Sequence, residues 1–144
     1  MKKFVWLSFF YFLVNALGAQ PLQHHTWKDR VVLLLAPDAQ EGSFKEQYGL
    51  WTAQPGEVTA RNLVLYQVFK KEGTGPDGKA LQPEQLRQLI DKYGPVPAKG
   101  SKLVLIGKDG TVKMEQQAVL HMADLFARID RMPMRRAEMR QQKN

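Results

Sequence analysis

Three histidines, six methionines, a scatter of charged side chains and no cysteine are what this chain offers for chemistry. Without a thiol there is no thiolate nucleophile, CxxC redox pair, cysteine zinc site or iron–sulfur cluster. A serine hydrolase needs a nucleophile, a base and an orienting group. No GxSxG segment occurs, and His24, His25 and His121 are the only imidazoles. His24 and His25 precede the first patterned element and read as part of a disordered terminus. His121 falls within the last helical pattern, between its apolar positions, as a surface histidine does.

Soft donors offer a second chemistry. Met132, Met134 and Met139 lie close in sequence, and with His24–His25 they form a thioether and imidazole set suited to Cu(I). The competing reading is packing, because Met114, Met122 and Met132 all fall on core-facing positions, where methionine fills gaps. No cofactor is expected, and the methionine set is kept only as an alternative.

The third group is Arg61, Lys108, Asp109, Lys113, Asp130, Arg135 and Arg136. As a binding surface, it would recognise an anion through guanidinium forks and lysine charges. As an enzyme, its chemistry would centre on Arg61, Asp109 and Asp130. As structure, it would form ion pairs, for example Asp130 with Arg135 holding the chain after Pro133, and exposed pairs of this kind contribute only ~0–1 kcal/mol each. Trp27 and Trp51 read as core or rim packing rather than a ligand platform.

The 144 residues that position these groups suit one domain with a real core. At 44% hydrophobic and 24% charged, the composition is that of a globular protein. Lys2 and Lys3 precede an apolar run from Phe4 to Leu17, followed by Ala16, Gly18 and Ala19 as small residues. That order predicts a secretory signal over residues 1–19, cleaved after Gly18 or Ala19, and an exported, periplasmic or extracellular protein. The run falls short of the ~20 residues that a spanning helix needs, so no transmembrane span is expected after cleavage.

Losing Lys2 and Lys3 lowers the net charge from +7 to +5. Six basic and two acidic residues from Arg128 to Asn144 give that segment +4, leaving +1 for the body. The basic character belongs to a tail, read as residues 134–144 after a domain of 20–133. Its expected partner is a protein or an anionic envelope ligand, with no nucleic acid. A solvated, fraying terminus is the competing reading.

The body alternates. Val31 to Ala36 is an unbroken apolar run stopped by Pro37, as in a strand covered on both faces. Ser43 and Glu46 read as a capping box for a short helix with Phe44, Tyr48 and Trp51 on one stripe. A second strand spans Asn62 to Phe69. The turn formers from Gly73 to Lys79 read as an exposed loop. Pro83 suits the first turn of a helix bearing Leu86, Leu89, Ile90 and Tyr93, with Gly94 just past its end. Lys102 to Gly107 is a third strand, and Asp109-Gly110 predicts a type I′ hairpin returning through Thr111 to Glu115. Val119, Met122, Leu125, Phe126, Ile129 and Met132 form a final stripe on a helix that Pro133 ends or kinks. The order β-α-β-α-β-β-α predicts a three-layer α/β sandwich, with a mixed sheet and a C-terminal β-hairpin.

Trp27-Lys28-Asp29-Arg30, the run from Leu105 to Lys113 and the run from Ile129 to Met139, with its Met-Pro-Met-Arg, carry a resemblance. Together they resemble a thioredoxin-like, peroxiredoxin-related family of secreted domains of unknown function. That family occurs alone in bacteria and within extracellular proteins of the equarin and sushi-repeat-containing type. The resemblance spans about Trp27 to Met139. It implies a thioredoxin-like fold and no established reaction. Where redox members of that fold carry their thiol pair, this chain has Ala36 to Ser43. Where they carry a cis-proline before the strand leading into the hairpin, it has Gly100-Ser101. With the catalytic groups missing, the charged Gly107–Gly110 turn and the Met-Pro-Met-Arg end point to a non-enzymatic binding or adaptor module of the cell envelope.

Overall fold

The computed structural model describes residues 21–144. The predicted signal segment, 1–19, lies outside them. A single 3-10 turn, Gln23–His25, precedes β1 (Arg30–Leu35). The chain continues through α1 (Gly42–Thr52), α2 (Pro55–Ala60), β2 (Leu63–Val68), the two-residue β3 (Gly73–Thr74) and α3 (Pro83–Tyr93). It ends with β4 (Lys102–Ile106), β5 (Val112–Gln117), α4 (Met122–Asp130) and α5 (Pro133–Gln141).

The strands lie in the order β3-β2-β1-β4-β5, with β1 and β2 parallel and every other pair antiparallel. All six residues of β1 are buried, which is why its sequence shows no polar alternation. The pleat still sorts them. Val32 and Leu34 join Phe44, Leu103, Leu105, Leu125 and Ile129 on one face. Val31, Leu33 and Leu35 join Leu22, Tyr66, Leu86, Leu89 and Tyr93 on the other. Helices α1, α2 and α4 cover the first face and α3 the second, giving the expected three-layer mixed-sheet sandwich. Among the described residues, no helix is long and apolar enough to cross a membrane.

Several local expectations are corrected. Ser43 does not cap α1: the helix begins at Gly42, Glu41 is the N-cap residue, and the Ser43 hydroxyl is buried without a partner. The α1 stripe is incomplete as well. Phe44 is buried and Tyr48 half-exposed, while Gln47 is buried instead, bonding the Leu120 amide at 2.7 Å and its carbonyl at 3.0 Å. Gly94 follows α3 as expected, in extended backbone (φ −76°), and a Cβ there would run into the Ile90 carbonyl oxygen. The Gly73–Lys79 segment supplies β3 at its start.

The hairpin forms with a different turn. Only Gly110 has positive φ (80°), and its amide bonds the Gly107 carbonyl at 3.0 Å while the Gly107 amide bonds Thr111 at 2.9 Å. That is a type I turn closed by a left-handed glycine, with a register shift at Leu105/Ile106, rather than type I′. Asp109 keeps ordinary φ because its carboxylate accepts from the Thr111 amide (3.0 Å) and hydroxyl (2.8 Å). The last apolar stripe divides at Pro133, which opens α5 instead of beginning a fraying tail. His121 lies outside α4 as its exposed N-cap residue.

Candidate functional site

At the start of β1, beside the ends of α2 and α4, the chain gathers four cations and three carboxylates. Arg30, 1% exposed, forks Glu138: Nη2 to Oε1 is 3.1 Å and Nη1 to Oε2 is 3.2 Å. Its Nη1 also donates to the Arg61 carbonyl at 2.9 Å. Arg61 forks Asp130, with Nη2 to Oδ2 at 2.7 Å and Nε to Oδ1 at 3.0 Å. It further donates to the Glu57 carboxylate at 2.6 Å and lies over the Phe126 ring at 4.4 Å. Arg135 donates to Asp130 at 3.2 Å and to the Ala60 carbonyl at 2.8 Å. Lys108 reaches Glu138 Oε1 at 2.7 Å and Asn62 Oδ1 at 3.0 Å.

Local structure sets these positions. Pro55 starts α2, so Glu57 in its first turn stands one turn before Arg61 and reaches it. Asn62 adopts left-handed φ (50°), which asparagine tolerates, and its carbonyl accepts the Arg30 amide at 2.8 Å. Pro133 turns the chain so that α5 brings Arg135 and Glu138 back onto Asp130 and Arg30. Burial works to raise the Asp130 and Glu138 carboxyls. Hydrogen bonds from Arg61 and Arg135 to the first, and from Arg30 and Lys108 to the second, outweigh it and hold both below the ordinary carboxyl range. Burial likewise opposes the Arg61 charge, while Asp130 and Glu57 hold its pKa above the ordinary value.

The charged residues singled out by sequence therefore divide. Arg61, Lys108, Asp130 and Arg135 come together in this network. Asp109 and Lys113 pair with each other on the hairpin at 2.8 Å, and hydrogen bonds from Lys113 and Thr111 pull the Asp109 carboxyl down to about 2. No contact among the described residues joins Asp109 to Arg61 or Asp130, which the enzyme reading needs. Arg136 is exposed and makes no ion pair among the described residues. Arg30, Glu57 and Glu138 escaped the sequence reading. Arg30 opens an apolar strand and Glu138 sits in a basic tail, and only their meeting across 108 residues gives either one meaning.

A basic surface lies next to the network. Lys113, Arg128, Arg131 and Met132 line a groove of about 420 Å³ on β5 and the end of α4. Arg128 and Arg131 are exposed and have no ion pair among the described residues. The methionine set is spread out: Met132 packs on the core, Met134 is 38% exposed and Met139 is half-buried. Met134 and Met139 are five residues apart on α5, so they point ~140° apart around its axis. Among the described residues there is no group of three or more His, Asp or Glu side chains fit to hold a metal.

The N-terminal histidines depart from expectation. They form an ordered turn, and His25 is 8% exposed, held by Asp29 and Tyr66. Trp27 is 66% exposed rather than core, with left-handed φ (66°) and an amide bonded to the Lys108 carbonyl. Trp51 is half-buried, packed on the core as expected.

No curated protein matches the chain. Among solved structures, the fold is similar to that of a reduced 2-Cys peroxiredoxin of Plasmodium vivax. That match has a TM-score of 0.56 at 16% identity and covers 85% of each chain. The likeness shows a thioredoxin-like fold, here built without cysteine. Residues 21–138 match the family described as "Domain of unknown function (DUF4174)", and the chain belongs to that family.

Proposed function

We propose that this protein is an exported binding module of the cell envelope that uses the thioredoxin-like fold as a rigid frame rather than for electron transfer. One observation carries the reading: the molecule divides its cations into a neutralised set and a free set. Arg30, Arg61, Lys108 and Arg135 are paired with the carboxylates of Asp130 on α4 and Glu138 on α5. Arg128 and Arg131 stay exposed and unpaired along the groove that Met132 also lines, and Arg136 is exposed outside it. Unpaired arginines held on a helix anchored this way keep a fixed spacing for an anionic partner, which lowers the ordering cost of binding. Export rests on the Lys2-Lys3 and Phe4–Leu17 pattern, and it brings the module to anionic envelope components or an acidic protein.

Charge reversal of Arg128 and Arg131 to Glu tests this reading, because neither side chain supports the fold. The wild-type protein is expected to recover a partner from envelope extracts, or to co-sediment with phosphatidylglycerol vesicles, and the double variant to lose it. Equal recovery by both overturns the basic face as the binding surface. Removal of everything after Met132 is a poorer test, since it also removes Arg135 and Glu138 and uncovers Arg30. Detection of the unprocessed chain in the cytoplasm, with residues 1–19 intact, overturns export.

A further inference from the structure

The turn carrying His24 and His25 closes a separate cleft, independent of the basic face. His25 Nδ1 is 2.8 Å from Asp29 Oδ2, and His25 Nε2 is 2.8 Å from the Tyr66 hydroxyl. An ionised carboxylate only accepts, so Nδ1 carries a proton, and when that is the ring's one proton Nε2 accepts from the Tyr66 O–H. The phenol proton then points into the protein. The phenol oxygen keeps its lone pairs for the cleft, with His24 Nε2 3.5 Å away.

That cleft, of about 380 Å³, has Pro76, Leu81 and Leu89 among its walls and His24, Asp77 and Lys79 along its lining. Burial pushes the Tyr66 phenol up to about 12, and the Asp77 and Asp29 carboxylates push it further in the same direction. The phenol is therefore neutral at ordinary pH and sits in a negative field. Burial, then the neighbouring His25 and Lys28, holds His24 below the usual imidazole range, so it adds no cation near neutrality. The remaining cation, Lys79, has a side chain 84% exposed and stands 4.0 Å from Asp77, so it is easily displaced.

We infer that this cleft binds the ammonium head of a small aliphatic amine: Tyr66 Oη accepts one N–H, the Asp77 carboxylate faces the charge, and Leu81 and Leu89 cover the carbon chain.

The test is a titration of the purified protein at constant ionic strength with butylammonium, butyrate and butanol, followed by amide NMR at about pH 8. Butylammonium is expected to give saturable shifts at His24, Tyr66 and Asp77, and to bind more tightly than either other probe. Losing one charge-assisted contact through Asp77→Asn or Tyr66→Phe should weaken it roughly tenfold. Asp77 is on an exposed loop, so its variant reads out binding even if Tyr66→Phe disturbs the fold. Butyrate binding as tightly as butylammonium, unchanged affinity in Asp77→Asn, or no saturation by about 100 mM butylammonium overturns the proposal.

Discussion

Arg61 and Asp130, 69 residues apart in the chain, meet as a two-point fork with contacts of 2.7 and 3.0 Å. The pair joins the end of α2 to the end of α4, and Asp130 passes the link on to Arg135 at the start of α5. Two arginines thus depend on one carboxylate.

Asp130→Ala should destabilise the fold by about 2–4 kcal/mol, between the cost of losing an exposed pair and that of breaking a buried one. Asp130→Asn should cost less, since an amide oxygen still accepts from one guanidinium. Urea unfolding midpoints at unchanged m-value measure both.

Glu138 is the carboxylate of Arg30, the most buried cation in the network. Glu138→Ala leaves that guanidinium uncompensated and should cost about 3–5 kcal/mol. Arg30→Met in the same chain should recover much of the loss, because the buried charge is gone. A double-mutant cycle reads the coupling directly.

Acid should loosen this corner. Asp130 and Glu138 titrate below their ordinary range when folded, so their stabilisation is present above the unfolded carboxyl pKa, about 4. It fades as pH falls through the lower folded values. A melting temperature that drops most steeply below about pH 4 is expected, and the Asp130→Asn variant should show a shallower drop there.

The Ser43 hydroxyl is buried with no partner. Ser43→Ala removes that unsatisfied group and improves helix propensity near the start of α1, so it should stabilise the protein by about 0.5–2 kcal/mol. A lower melting temperature in this variant would show that the hydroxyl has an acceptor after all.

What the sequence determined by itself was everything written in local pattern. The apolar run Val31–Ala36, Pro83 ahead of Leu86 and Leu89, and the Met122–Ile129 stripe each report one element, because burial on a strand or helix face leaves a short-range period. The absence of cysteine, which removes thiol chemistry from the thioredoxin-like frame, was equally plain. Turn details failed where a side chain outbid backbone preference: Asp109 is held by Thr111 and Lys113 without needing positive φ, and Ser43 lost its cap role to a helix that starts two residues earlier than a Ser43 cap would place it. The partners of charged residues were beyond reach, because Arg30 with Glu138 and His25 with Tyr66 are contacts across 108 and 41 residues. A charge carries no period in sequence. Its partner is chosen only when the packed sheet and the turn at Pro133 bring distant segments together, and that choice made Arg30, Arg61 and Arg135 a clamp while leaving Arg128, Arg131 and Arg136 free.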